Sequence, residues 1–154
     1  MPLEAWVQYG AMTIALVCLI NKRKGMIKYL PVGLFAYYYS QIVCQVVMGI
    51  FEFWSYPYRV FAFEDTSIPA NAVVIPIMAM FWIRYMPSGI RNRMLWWLSW
   101  STVLTTFEYF AEKHTGLITY HNGYNSLYTG VLWLISWTIF YNFHRWFWKR
   151  YQTD

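Results

Sequence analysis

Five long apolar stretches, separated by short polar and basic segments, constrain this chain more than any other feature of its sequence. A helix of about 20 mostly apolar residues crosses the ~30 Å hydrocarbon layer of a bilayer. The stretches lie at approximately 5–20, 29–54, 68–86, 94–114 and 126–144. None of them sustains the period-two alternation of a β-strand. The sequence therefore predicts an all-α integral membrane bundle, in which five transmembrane helices form a single domain over all 154 residues.

The composition excludes two other classes of protein. Of all residues, 58% are hydrophobic and 12% are charged, whereas ordinary soluble domains have about 45–50% and 25%. Aromatic residues make up 23% of the chain, and disordered chains contain few of them. The chain is therefore neither an ordinary soluble domain nor a disordered segment.

The distribution of charge predicts an orientation in the membrane, because Lys and Arg collect in short cytoplasmic loops. Ten of the twelve basic residues fall in alternate connections and after the last stretch: Lys22, Arg23, Lys24, Lys28, Arg84, Arg91, Arg93, Arg145, Lys149 and Arg150. Six of the seven acidic residues fall on the other side: Glu4, Glu52, Glu64, Asp65, Glu108 and Glu112. We therefore expect the N-terminus outside and the C-terminus in the cytoplasm.

The same charges bear on the partners of the protein. A net charge of +5 and a pI near 9.2 would suggest nucleic acid in a soluble protein, but these basic residues lie where membrane insertion favours them. Trp146, Phe147 and Trp148 stand among the last basic residues, a composition that suits anionic lipid headgroups. The expected partners are membrane lipids, together with a second copy of the chain or a subunit of a membrane complex. We expect no nucleic acid among them.

The most informative ionisable residues follow the fourth stretch. Glu108 and Glu112 share a helix face, and Glu108 lies about 14 residues, or roughly 21 Å, from the inner end of its helix. A carboxylate at that depth has to pair, reach water or be protonated. We expect a polar pocket open to the outside, in which these acids serve as proton carriers, cation ligands or substrate anchors, with His114, His121 and Arg59 beside them. The alternative is an interfacial ion-pair network that holds the outer loops.

Two amides place neutral polar groups near the middle of the second helix. Gln41 and Gln45 share one face through their i, i+4 spacing. If that face meets the hydroxyl-rich fourth helix and Glu108, a polar path would run from the outer pocket toward the membrane centre. The alternative is hydrogen bonding between helices.

No motif points to a cofactor or to a catalytic nucleophile. The Glu-x-x-His spacing of di-iron bundles is absent, and the three histidines include no pair from two helices at one depth, as a membrane haem would require. Hydrolase, kinase and nucleotide-binding signatures are missing as well. We therefore expect neither a metal nor a cofactor, and the catalytic residues of any enzyme activity stay unassigned.

Two segments carry a family resemblance: Tyr-Pro-Tyr-Arg-Val-Phe at 56–61 and Glu-Tyr-x-x-x-Lys-His-Thr-Gly-Leu-Ile-x-Tyr-His at 108–121. They resemble a family of small, uncharacterised multi-spanning membrane proteins of endospore-forming Gram-positive bacteria. The likeness extends from Glu52 to the basic C-terminus. It implies a bacterial cytoplasmic or spore membrane and supplies no activity.

These observations favour a non-enzymatic protein that binds or passes a small polar solute, an ion or a lipid headgroup through an outer acidic and histidine-bearing pocket. A structural or assembly subunit of a membrane complex is the first alternative. A membrane-embedded enzyme acting on a lipid, with a Glu as general base and a His as its partner, is the second.

Overall fold

The computed structural model describes residues 2–58, 67 and 69–151. Over these residues the regular secondary structure is helical, except for one pair of two-residue strands. This confirms the all-α class. The α-helices are α1 Leu3–Asn21, α2 Leu30–Gly49, α3 Ile75–Arg84, α4 Ile90–His114 and α5 Ser126–Tyr151. A 3₁₀ turn at Ile27–Tyr29 leads into α2, and a π-helical turn at Pro69–Val74 leads into α3. The strands are β1 Trp54–Ser55 and β2 Thr119–Tyr120.

The helix ends depart from the sequence-predicted bounds where the backbone turns. The second helix stops at Gly49 rather than near residue 54, and Glu52 takes a φ of 50° that no helix can continue through. The fourth begins at Ile90, directly after Gly89, whose φ of 84° suits glycine. The site residue Arg59, predicted to lie beside the acids, falls outside the described residues.

Successive helices run in opposite directions, so the basic segments gather at one end of the bundle, here called the basic end. The Arg84 guanidinium donates a hydrogen bond to the carbonyl oxygen of Lys22 over 2.7 Å, and the Tyr29 and His144 rings stack with centroids 5.7 Å apart. These contacts join the connection between α1 and α2 to the ends of α3 and α5. The basic end carries ten of the described cations: Lys22, Arg23, Lys24, Lys28, Arg84, Arg91, Arg93, Arg145, Lys149 and Arg150.

The opposite end, here called the acidic end, is held by backbone pairing. The strands β1 and β2 are antiparallel, with Trp54 opposite Tyr120. The Glu4 carboxylate accepts a hydrogen bond from the backbone N–H of Gly116 over 3.0 Å, which ties the start of α1 to the loop after α4. Glu52 and Glu112 belong to the same end. The segregation of charge along the sequence is therefore also a segregation in space.

An aromatic core fills the bundle toward the basic end. The Trp82 and Trp137 rings, both fully buried, stack with centroids 4.6 Å apart. Phe140 of α5, also buried, and Trp100 of α4 pack edge-on against Trp137 at 5.8 Å and 6.2 Å. Because aromatic pairs combine a large contact area with preferred geometries, this cluster fixes how α3, α4 and α5 rotate against one another.

Helices α2 and α3 approach each other closely at Gly33. A Cβ atom added there would lie 2.8 Å from Met80 Sδ and 2.9 Å from Met80 Cγ. Small residues permit such close approaches between helices. The contact sets the distance between the two helices that form one wall of the site described below.

We expect Gly33→Ala to lower the free energy of unfolding by about 1–2 kcal/mol, because Met80 is buried and has to be displaced. Gly10→Ala is the matched control, since nothing lies within 4 Å of a Cβ added in the middle of α1. Its expected effect is neutral or slightly stabilising. Denaturant titration of both variants in detergent micelles measures the difference, and equal stabilities would contradict the close contact.

Two helical segments among the described residues are long and apolar enough to cross a membrane, Leu3–Asn21 and Ile27–Gly49. The segment Pro69–Arg84 is apolar but shorter. Helices α4 and α5 are long, but Ser, Thr and basic residues are interspersed among their apolar side chains. Length and composition therefore establish two candidate spans.

Candidate functional site

A cavity of about 240 Å³ lies within the acidic half of the bundle. It is bounded by all five α-helices, the π-helical turn and the β1 region. Most of its lining is apolar. The polar side chains among its lining residues are Gln8, Tyr39, Ser40, Cys44, Tyr56, Ser67, Asn71, Glu108, Tyr124, Thr129 and Ser136. The cavity can therefore hold a largely apolar molecule with a small number of polar atoms.

Glu108 supplies the carboxylate of this cavity from α4. Its Oε1 accepts a hydrogen bond from Trp133 Nε1 over 2.6 Å, and its Oε2 accepts one from the Tyr120 hydroxyl over 3.4 Å. The Tyr120 hydroxyl also lies 3.0 Å from Thr129 Oγ1, which in turn donates to the Tyr124 hydroxyl over 3.3 Å. The carboxylate is therefore oriented by a connected network from α5 and the segment before it.

The two tyrosines of this network are neutral. Burial raises the pKa of Tyr124 to about 12 and raises the pKa of Tyr120 well above its ordinary value. Nearby Glu108 acts in the same direction on both, because a second negative charge beside a carboxylate is unfavourable. Tyr120 consequently remains a hydrogen-bond donor to Glu108 at ordinary pH.

The facing wall is built by α2 and the π-helical turn. Asn71 is buried, and its side-chain Nδ2 donates a hydrogen bond to Cys44 Sγ over 3.3 Å. The backbone carbonyl oxygen of Asn71 accepts a hydrogen bond from Ser40 Oγ over 3.4 Å. Cys44 Sγ lies 3.9 Å from the Tyr56 hydroxyl. Burial, followed by the nearby Cys44 and Glu108, raises the pKa of Tyr56. The wall thus presents neutral polar groups opposite the carboxylate.

Gln8 is the contribution of α1 to the cavity. Its side chain is only 8% exposed, and Oε1 has no hydrogen-bond partner among the described residues. With Ala5, it is one of two buried residues on α1. A buried amide oxygen without a partner costs free energy, so Gln8 presents an unsatisfied acceptor at the cavity.

Glu112 and His114 do not line the cavity that contains Glu108. Glu112 forms an ion pair with its neighbour Lys113 over 3.0 Å and does not line the cavity. His114 is exposed, and its ring stacks on Phe110 at 5.9 Å. Both residues lie at the end of α4, and the ion pair of Glu112 joins it to its neighbour in the same helix.

His121 also lies away from the cavity. Its Nε2 is 2.8 Å from Ser55 Oγ, next to β1, and its side chain is exposed. It lines an open surface depression of about 380 Å³ together with Glu52 and Asn122. Of the predicted acid and histidine cluster, the cavity therefore contains Glu108 alone.

The two predicted amides of α2 are placed elsewhere as well. Neither Gln41 nor Gln45 lines the cavity, and Gln45 is exposed. Ser40 and Cys44, one position earlier, line it instead. Because each helical residue turns the side chain by about 100°, a shift of one position changes the face, so the structure does not bring Gln41 and Gln45 to Glu108.

A signal for the inward face of α2 was present in the sequence. Besides Val32, the buried residues of this helix are small and recur every three or four positions: Gly33, Ala36, Ser40 and Cys44. Stripes of small residues are typical of helix contacts in membranes. The signal for Gln8, Tyr56 and Asn71 is weaker, because their inward placement depends on contacts between distant segments.

The side chains placed at the cavity define the chemistry available to Glu108. Within the part of the chain that the structure describes, no three His, Cys, Asp or Glu side chains come close enough to hold a metal ion. Glu108 contacts an indole and a phenol rather than a histidine.

No family model, curated protein or solved structure matches this chain.

Proposed function

We propose that this protein is a five-span integral membrane protein that binds a small amphiphilic molecule in the cavity beside Glu108. The acidic end faces the outside and the basic end faces the cytoplasm. Two helices have the length and composition of membrane spans, and ten cations lie at one end of the bundle. The resemblance of 56–61 and 108–121 extends the proposal to a bacterial cytoplasmic or spore membrane.

The surfaces of α4 and α5 support their inclusion among the spans. Both helices exceed 24 residues, and such a length reaches across the ~30 Å hydrocarbon layer. Apolar side chains such as Leu98, Val103 and Ile135 face outward, whereas the hydroxyls of Ser101 and Ser136 are buried. Polar groups turned inward and apolar groups turned outward are the arrangement that lipid favours.

The observation that carries the binding proposal is a carboxylate at the wall of an otherwise largely apolar cavity. An apolar cavity of about 150 Å³ accepts benzene, so 240 Å³ accommodates an aromatic ring with a short chain. A cavity lowers stability by roughly 24 cal/mol per Å³. A purely structural subunit would be more stable with larger side chains there, and this consideration favours a binding site.

The positions of the histidines favour binding over acid–base chemistry on a lipid. A general acid or base acts on a group within hydrogen-bond distance. His114 and His121 are exposed and line no part of the cavity. A Glu–His pair therefore has no geometric support at Glu108.

Saturable binding of 4-phenylbutanol to the protein in phosphatidylcholine nanodiscs tests the proposal. Val43→Phe places a ring in the cavity and is expected to abolish saturable binding, because Val43 lines it. Ile42→Phe is the matched control on the same helix, since Ile42 is 60% exposed, and is expected to bind as the unaltered protein does. Titration calorimetry against empty nanodiscs measures both.

Two outcomes would contradict the proposal. Either the unaltered protein shows no saturable binding of 4-phenylbutanol or of 4-phenylbutylamine above their partitioning into lipid, or Val43→Phe binds the probe as tightly as Ile42→Phe. The second outcome would place the binding site outside the cavity.

A further inference from the structure

We infer that the molecule bound in the cavity is an organic monocation, an amphiphile whose protonated amine donates hydrogen bonds to Glu108 and Gln8. This inference rests on the proposed function, since it names the chemical class of the ligand of the same cavity. Three features of the cavity carry it: the partners of the carboxylate, the unsatisfied amide and the aromatic lining.

The described partners of Glu108 bring no positive charge to it. Both described hydrogen bonds to the carboxylate come from neutral donors, Trp133 and Tyr120. Within residues 2–58, 67 and 69–151, the carboxylate forms no ion pair, and the nearby Lys113 pairs with Glu112 instead. A carboxylate away from water is stabilised by a cation, and a bound ammonium group supplies that charge.

The second feature is the unsatisfied acceptor of Gln8. Its Oε1 is buried at the cavity wall without a partner, and a donor from the ligand would satisfy it. An ammonium group carries up to three donors and no acceptor. It therefore complements a carboxylate and an amide oxygen, whereas an anionic or acceptor-only molecule would leave the Gln8 oxygen without a donor and bring no positive charge to Glu108.

The two acceptors lie at similar depth in the bundle. Glu4 is tied to Gly116 at the acidic end, so Gln8 lies about 6 Å further in along α1. Glu108 precedes the end of α4 at His114 by six residues, or about 9 Å. Both acceptors therefore lie in the acidic half of the bundle, on two of the helices that bound the same cavity, and the apolar body of the ligand extends toward the apolar lining.

The third feature is the aromatic lining near the acceptors. Trp54, Tyr56, Phe107, Tyr124 and Trp133 all contribute to the cavity wall. Aromatic faces attract cations as well as apolar groups. An aromatic wall beside an acidic group therefore favours an amine-bearing amphiphile over a neutral one of the same size.

The test compares 4-phenylbutylamine, which is protonated at neutral pH, with 4-phenylbutanol of similar size in zwitterionic phosphatidylcholine nanodiscs. We expect the amine to bind at least about tenfold more tightly, because hydrogen bonds from a charged donor to a carboxylate are stronger than those from a neutral hydroxyl. In Glu108→Gln the ratio of the two affinities is expected to fall to about one. Glu112→Gln, four residues away and outside the cavity, is expected to keep the ratio.

A second variant keeps the test decisive if Glu108→Gln does not fold. Gln8→Leu removes the amide acceptor and is expected to reduce the amine preference several-fold, whereas Thr13→Val on the exposed face of α1 should preserve it.

Equal binding of amine and alcohol to the unaltered protein would overturn the inference while leaving the proposed function standing. A preference that survives in Glu108→Gln would also overturn the inference. Binding of neither probe would overturn both.

Discussion

Replacing Trp137 by alanine is expected to remove about 3–5 kcal/mol from the free energy of unfolding. The Trp137 side chain is 0% exposed, stacks on Trp82 of α3 at 4.6 Å and packs edge-on against Trp100 of α4 at 6.2 Å. Helices in lipid associate through packing rather than through the hydrophobic effect. Loss of this ring would therefore leave α3, α4 and α5 without their common contact.

The measurement is an unfolding titration in mixed micelles followed by far-ultraviolet circular dichroism. Trp146→Ala is the matched control on α5, because Trp146 is 53% exposed near the basic end. We expect it to cost less than about 1 kcal/mol. If the two variants are equally stable, Trp137 does not form the centre of the core.

The second large effect concerns the side of the membrane on which each end of the bundle lies. In a Cys18→Ser background, Lys24→Cys and His114→Cys place exposed thiols at the basic end and the acidic end, while Cys44 is buried. A membrane-impermeant maleimide added to intact cells is expected to label the thiol at 114. The thiol at 24 should react only after the membrane is opened.

The physical reason is the cost of carrying positive charge across the bilayer during insertion, which retains Lys and Arg on the cytoplasmic side. Labelling of both positions from the same compartment would contradict the five-span topology and the outward orientation of the cavity. If only the thiol at 24 is labelled in intact cells, the orientation is the reverse of the one proposed and the fold is unchanged.

The helical class and the two charged ends followed from the sequence because they depend on local properties. Apolar stretches of 16–26 residues favour helices regardless of what packs against them, and the structure forms helices over all five. The alternation of charge also predicted that Lys22 and Arg84 would lie at one end, and a hydrogen bond joins these two residues. Whether α3, α4 and α5 cross a membrane stays a prediction that the labelling experiment addresses.

The candidate site was predictable only in part. The sequence indicated Glu108 because it is an acid within an apolar helix, and the structure places it at the cavity wall. Its predicted companions Glu112, His114 and His121 are close in sequence but lie at the end of the bundle or in the loop beyond it. Proximity along the chain identified the region, but it did not identify the residues that share the cavity.

The sequence by itself determined the helices, their order and the separation of positive from negative charge, because these depend on composition and spacing within each segment. The tertiary structure alone decided which face of each helix points inward. Ser40 and Cys44 line the cavity while Gln41 and Gln45 do not, and Gln8 meets the same cavity from a segment 100 residues before Glu108. The rotation of a helix about its axis is set by the side chains packed against it, and those come from distant parts of the chain.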